Sequence, residues 1–188
     1  MPSFEILEIL LESIFVFSFI RLLSKYFHLV IPLLPLLAFV ISLALTFNDA
    51  RILIFGAIAL VISEIDRIEL RIPDVLTKPA ILLLSISLID SIRIIAVAWL
   101  WLWAMYVLTF FAPGVIGRGD VKLIAAVILL YGLCTEGSVL SFLFLLCALS
   151  SLFALPEAVL AWRRERDRHF PFGPGISGAA LVLFAIAP

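Results

Sequence analysis

Apolar residues run through this chain in long blocks, and polar residues gather in short clusters between them. The blocks lack the strict alternation of barrel strands, so they read as helices. With about 20 apolar residues needed to cross a bilayer, the pattern predicts eight helices. They fall near residues 4–22, 26–48, 52–71, 75–90, 92–112, 117–135, 138–161 and 173–188. No soluble domain is left over once these are drawn. The expected fold is all-α: one polytopic transmembrane bundle of about eight helices spanning residues 1–188.

Composition strengthens this reading. The chain is 64% hydrophobic, whereas soluble domains are about 45–50% apolar. Its mean hydropathy is +1.26. The first apolar block carries Glu5, Glu8 and Glu12 rather than a basic leading segment, so it is expected to be a retained span and not a secretory signal. Cys134 and Cys147 are isolated from each other and form no CxxC pair. Neither a zinc site nor a disulfide is expected.

The net charge of −1 decides little, but the placement of the charges decides more. Arg21 and Lys25 fall in the first predicted loop, drawn at about Leu22 to Tyr26. Arg67, Arg71 and Lys78 surround the third, Arg118 and Lys122 the fifth. Arg163, Arg164, Arg166 and Arg168 fill the seventh. Eleven of the thirteen basic residues therefore share one side, with only Arg51 and Arg93 opposite. Cytoplasmic loops are enriched in Lys and Arg, so the odd loops are expected inside and both termini on the non-cytoplasmic side.

Two apolar runs are too short. Ile52–Ile62 has eleven residues and Leu123–Cys134 has twelve. At about 1.5 Å per residue neither crosses a core of roughly 30 Å. Each must draw in polar neighbours at its cytoplasmic end: Glu64 and Asp66 for the first, Asp120 and Lys122 for the second. Asp66 and Asp120 are thus expected at similar depth. Two close aspartates resist double ionisation, so one can take a proton from water while the other polarises a carbonyl. The plainer readings are a helix cap or a solvated charge for each, or a proton path in a small transporter.

The motifs sharpen the choice. Gly117-Arg118-Gly119-Asp120-Val121-Lys122-Leu123 resembles the GxGDxKL signature of the type IV prepilin peptidases, which are GxGD-type intramembrane aspartic proteases. Asp66 followed by Ile72-Pro73-Asp74 and Leu76-Thr77 resembles the family's second motif, and Pro171-Phe172-Gly173-Pro174 its PFGP element. The resemblance implies that Asp66 and Asp120 are catalytic. It also implies removal of a short basic leader from prepilins or prepilin-like proteins, at the cytoplasmic face of the inner membrane. No metal or organic cofactor is implied. The expected partners are the prepilin-like substrate, with its basic leader and apolar helix, and the lipid bilayer; nucleic acid is not expected. The zinc-binding CxxC segment of the bifunctional members is missing from the first loop, so N-methyltransferase activity is not expected. A presenilin-like or signal-peptide-peptidase-like protease is the alternative. Those pair GxGD with Tyr-Asp and Pro-Ala-Leu, where this chain has Ile65-Asp66 and PFGP.

Supporting roles follow for the remaining motif residues. Gly117 and Gly119 would let a substrate strand or another helix approach beside Asp120. Pro73 is read as breaking the third helix, and Asp74 as a helix cap that could also grip a basic leader. Lys122 is either a snorkelling anchor or a tuner of the acid pair. Pro171, Gly173 and Pro174 open the last helix. Glu64 and Glu69 read as interfacial charges, and Glu157 as part of the packing at a proline kink. The run Arg163 to His169 reads as a topology anchor. Trp99, Trp101 and Trp103 fall mid-span, where packing against other helices or lipid explains them better than an interfacial belt.

Overall fold

The structure is a computed structural model. It describes residues 3–47, 49–112, 116–163 and 170–187, without the side chains of 3–9 and 163. Among the described residues there are eight α-helices and no strand. They are α1 (Ser3–Tyr26), α2 (Leu33–Thr46), α3 (Ala50–Glu69), α4 (Asp74–Ser87), α5 (Ile92–Phe111), α6 (Arg118–Cys134), α7 (Val139–Arg163) and α8 (Gly173–Ile186). The predicted number is met.

The first connection differs from expectation. The helix does not stop at Leu22 but continues through Arg21 and Lys25 to Tyr26, and residues 27–32 link it to α2. The stop is a Schellman motif. His28 takes a positive φ of 54°, its N–H meets the Lys25 carbonyl, and the Leu29 N–H donates to the Ser24 carbonyl at 2.8 Å. Pro32 then starts α2, which is accordingly only 14 residues long. Polar residues alone do not end a helix; Arg and Lys are good helix formers.

The core is built around α6. Val121 and every residue from Leu123 to Tyr131 is buried, so this helix is apolar on all sides because it has neighbours on all sides. The bundle's outer surface is inverted relative to a soluble protein. Leu83, Trp103, Phe110, Phe144 and Trp162 are all more than 60% exposed, a pattern that marks a surface covered by membrane or by another protein. Helices α5 and α7 are long and apolar enough to cross a membrane by themselves. The protein is a membrane protein.

Consecutive helices run up and down. At one end, Arg51 at the start of α3 donates to the Leu133 carbonyl at the close of α6, at 2.8 Å. Tyr131 and Phe142 stack beside it with their rings 3.8 Å apart, and Phe184 lies tilted against both. At the other end lie the close of α3 and the starts of α4, α6 and α8, joined by contacts described below.

Asp49 caps α3, accepting the Arg51 N–H at 2.8 Å. The Arg51 guanidinium beside it holds the Asp49 carboxyl below its usual 3.8. A depressed carboxyl contributes stability above the unfolded value and loses it as pH falls through the folded one. The stability increment lost in Asp49→Ala, about 1 kcal/mol for a missing cap, is therefore expected in full at neutral pH. It should shrink as the pH drops below 3.8. Thermal unfolding in detergent at several pH values checks this.

Helices α7 and α8 approach closely at Gly175. A Cβ placed there would lie 2.8 Å from the Ser150 carbonyl oxygen and 3.3 Å from the Ala154 Cβ. Backbone cannot swing aside as a side chain can. Gly175→Ala is expected to destabilise by about 1–3 kcal/mol, in the range of overpacked cores. Gly178→Ala faces only the Phe153 ring, at 3.2 Å, and serves as the milder comparison in the same melt.

Candidate active site

Asp66 lies one turn before the end of α3 and is only 4% exposed. Its carboxylate is held by the start of α8. The Gly173 N–H donates to Asp66 Oδ2 at 2.8 Å, and the Phe172 backbone contributes a second contact. A helix start presents free N–H groups and a positive dipole end, both of which favour a negative oxygen. Gly173 is needed sterically as well: a Cβ there would sit 3.0 Å from Asp66 Oδ2. Pro174 follows at the second helical position, where a missing N–H does no harm. Pro171 leads into the turn without helical structure.

Asp120 occupies the third position of α6, with Gly117 as N-cap. Its carboxylate folds back to the Gly117 backbone N–H, the reach that a third-position acid makes in a capping box. A Cβ on Gly117 would stand 2.5 Å from Asp120 Oδ2. The helix-cap reading is therefore realised for Asp120, and it coexists with a second property. Asp66 lies near enough for its charge to act on Asp120. The chain thus brings two carboxyl groups, each at a helix start, to one end of the bundle.

Between them runs the connector from α3 to α4. Leu70 closes α3 in the left-handed region, φ 53°, with its N–H on the Asp66 carbonyl. That turn sends Ile72 onto α6. A Cβ at Gly119 would lie 2.8 Å from the Ile72 Cβ and 3.2 Å from its backbone nitrogen. The space beside Gly119 is thus filled by the chain's own connector.

Several expectations change here. Pro73 does not end α3, which closes earlier at Leu70; it is the extended N-cap residue of α4. Asp74 is not a cap, because it already lies inside α4 and caps nothing with its side chain. Its carboxylate pairs with Lys122 across the connector and with Lys78, at 2.6 Å, on its own helix. Lys122 is neither free to snorkel nor aimed at Asp120. Two positions along a helix point to nearly opposite faces, and its ammonium meets Asp74 instead. Glu64 pairs with Arg67 at 3.3 Å and Glu69 with Arg71 at 2.5 Å. Glu157 reaches Arg67 at 3.9 Å, linking α7 to α3, an exposed contact worth little in itself. Trp101 packs as expected, donating to the Val121 carbonyl at 3.2 Å just past Asp120. Trp99 reaches Ser85 Oγ at 3.3 Å, and Trp103 faces outward. Pro113 and Gly114, which by sequence are expected to end the fifth helix, and the basic residues Arg164, Arg166 and Arg168 lie outside the described residues.

Sequence reasoning passed over Ile72 as a contact residue, and the left-handed Leu70. The available signal was position: both lie in the short stretch between Asp66 and the Asp74 that follows it. Below the acids an apolar groove of about 200 Å³ runs between α3, α4 and α6. Its lining includes Ile62, one turn from Asp66, and Leu123, one turn from Asp120.

The chain is thus a polytopic helical membrane bundle that gathers two aspartates at one end, with Asp120 in a GxGD turn. The sequence profile of the Type IV leader peptidase family matches residues 53–156, more than half of the chain, and the chain belongs to that family. No curated protein and no solved structure matches it. The matched stretch contains Asp66, the Ile72–Asp74 connector and Asp120. The start of α8, which donates to Asp66, lies beyond it.

Proposed function

We propose that this protein is an aspartic endopeptidase that removes the basic leader from type IV prepilins or prepilin-like proteins. The cut is made at the cytoplasmic face of the inner membrane, with both chain termini on the opposite side. The observation that carries the reading is the gathering of Asp66 and Asp120 at one end of the bundle, on helices of a leader-peptidase family member.

The chemistry needs no covalent enzyme intermediate. One carboxylate takes a proton from water, and the resulting hydroxide forms a C–O bond at the scissile carbonyl. The other carboxyl, protonated, donates to the carbonyl oxygen. The C–N bond then breaks, and the departing amine receives a proton from the acid pair. The basic leader stays at the inner surface with the helix ends that carry Asp66 and Asp120, while the apolar helix behind it reaches the site through the bilayer. Gly117, Gly173, Pro171 and Pro174 shape the backbone around the carboxylates. No cofactor is required.

The test is cleavage of a peptide with a basic leader, a glycine before the cut and an apolar helix after it, by the purified protein in detergent or vesicles. Mass spectrometry is expected to find one cut after the glycine. An intact peptide, with vesicles that instead move protons in a way that depends on Asp66 and Asp120, would replace the peptidase by a transporter.

A further inference from the structure

Asp74 and Lys122 stand 48 residues apart in sequence and meet at the site. Lys122 lies two residues past Asp120, and Asp74 lies at the far side of the connector that follows the Asp66 helix. The pair therefore closes a loop. Its path runs from Asp66 through Leu70 and Ile72 to Asp74, across the ion pair to Lys122, and back along α6 to Asp120.

The loop also closes at Ile72, which packs on Gly119. Ile72 is buried there in the apolar core, so packing holds the connector against the start of α6. The ion pair adds to this packing a directional side-chain bond between α4 and α6, the one such bond among the described residues. The Lys122 side chain is 12% exposed, so its charge is largely withdrawn from solvent and depends on Asp74 for a partner. A half-buried ammonium that loses its partner is driven outward to find water. Lys122 shares the start of α6 with Asp120, so the bond that ties Lys122 to α4 also fixes where Asp120 stands. Lys78, by contrast, is 65% exposed and sits on the same helix as Asp74, so it joins no two elements.

We propose that Asp74 and Lys122 are positioning residues, an ionic latch that holds the Asp120 helix at working distance from Asp66. The proposal rests on the peptidase reading for its activity test but not for its structural one.

The structural test uses spin labels at Ile68→Cys and Arg118→Cys, both exposed sites, one on each side of the latch. The background carries Cys134→Ser and Cys147→Ser. A single narrow distance distribution is expected with the latch intact, and a broad or longer one in Asp74→Asn. A reciprocal swap, Asp74→Lys with Lys122→Asp, keeps the same combined reach; Lys78→Gln is added to remove a like charge. The swap is expected to bring the narrow distribution back. An unchanged distribution in Asp74→Asn, or a swap as broad as the single change, overturns the latch.

In the cleavage assay, Asp74→Asn and Lys122→Gln are each expected to lower kcat on the order of 100-fold, the scale of a misplacement near 1 Å, with KM within about twofold. The swap recovers most of the loss, and Lys78→Gln alone changes nothing. A KM effect at constant kcat would make Asp74 a leader-binding residue and sink the positioning role. If the unaltered protein cuts no prepilin-like peptide, the peptidase reading fails while the label distances still decide the latch.

Discussion

Asp66→Asn and Asp120→Asn are each expected to abolish leader cleavage, and the double change to be no worse than either alone. Asparagine keeps the size and shape of aspartate but cannot take up a proton from water. If the two carboxyls work as a unit, removing one removes the unit, and the second loss finds nothing left to remove. The expected fall in kcat is at least about 1,000-fold, since general acid–base groups contribute roughly 100- to 10,000-fold and here two roles fail together. Folding offers no escape from the test. Asp66 accepts one hydrogen bond from Gly173, and the side-chain carbonyl oxygen of an asparagine in its place can accept it too, so the start of α8 remains in place. Melting of Asp66→Asn should therefore lie near that of the parent. Additive losses in the double variant would show two independent roles. Cleavage surviving in either single variant would exclude the acid pair.

The sequence made much of this arrangement legible, and the limits have physical causes. Eight helices can be read because apolar runs of near-membrane length leave few alternatives. That Asp66 and Asp120 share one end of the bundle follows from two runs too short to span. The start of α8 at Gly173 is visible in its Pro and Gly residues. What cannot be read are contacts made at long range. Asp66 meets Gly173 across 107 residues, and Lys122 meets Asp74 across 48. Nothing local marks either pairing, so the sequence offers Lys122 only lipid or its neighbour Asp120 as a partner. The first connection is misplaced for a local reason. Arg21 and Lys25 look like a loop by charge, yet the backbone stops only where His28 can adopt a left-handed turn. Pro73 misleads similarly, because a proline can open a helix as readily as close one. Here the left-handed Leu70 has already ended α3.

Gly119→Ala is expected to cut activity on the order of 100-fold while leaving both carboxyls present. The new methyl would lie 2.8 Å from the Ile72 Cβ and 3.2 Å from the Ile72 backbone nitrogen. Ile72 is buried, 7% exposed, and cannot rotate its Cβ away. The connector and the start of α6 must therefore separate, and Asp120 is the next residue along. A shift near 1 Å at a reacting group is enough for a loss on the order of 100-fold in kcat. The accompanying loss of stability, about 1–3 kcal/mol for an overpacked contact, is visible as a lower melting temperature. Rescue separates position from general damage. Ile72→Gly removes the opposing Cβ, so the Gly119→Ala, Ile72→Gly pair transfers the methyl from one side of the contact to the other. Per folded molecule, that pair is expected to cut faster than Gly119→Ala alone, although it has lost a buried side chain and melts lower. Activity and stability would then move in opposite directions, which general unfolding cannot produce. If the pair is both less stable and slower, the contact matters for packing alone and Gly119 does not set the place of Asp120.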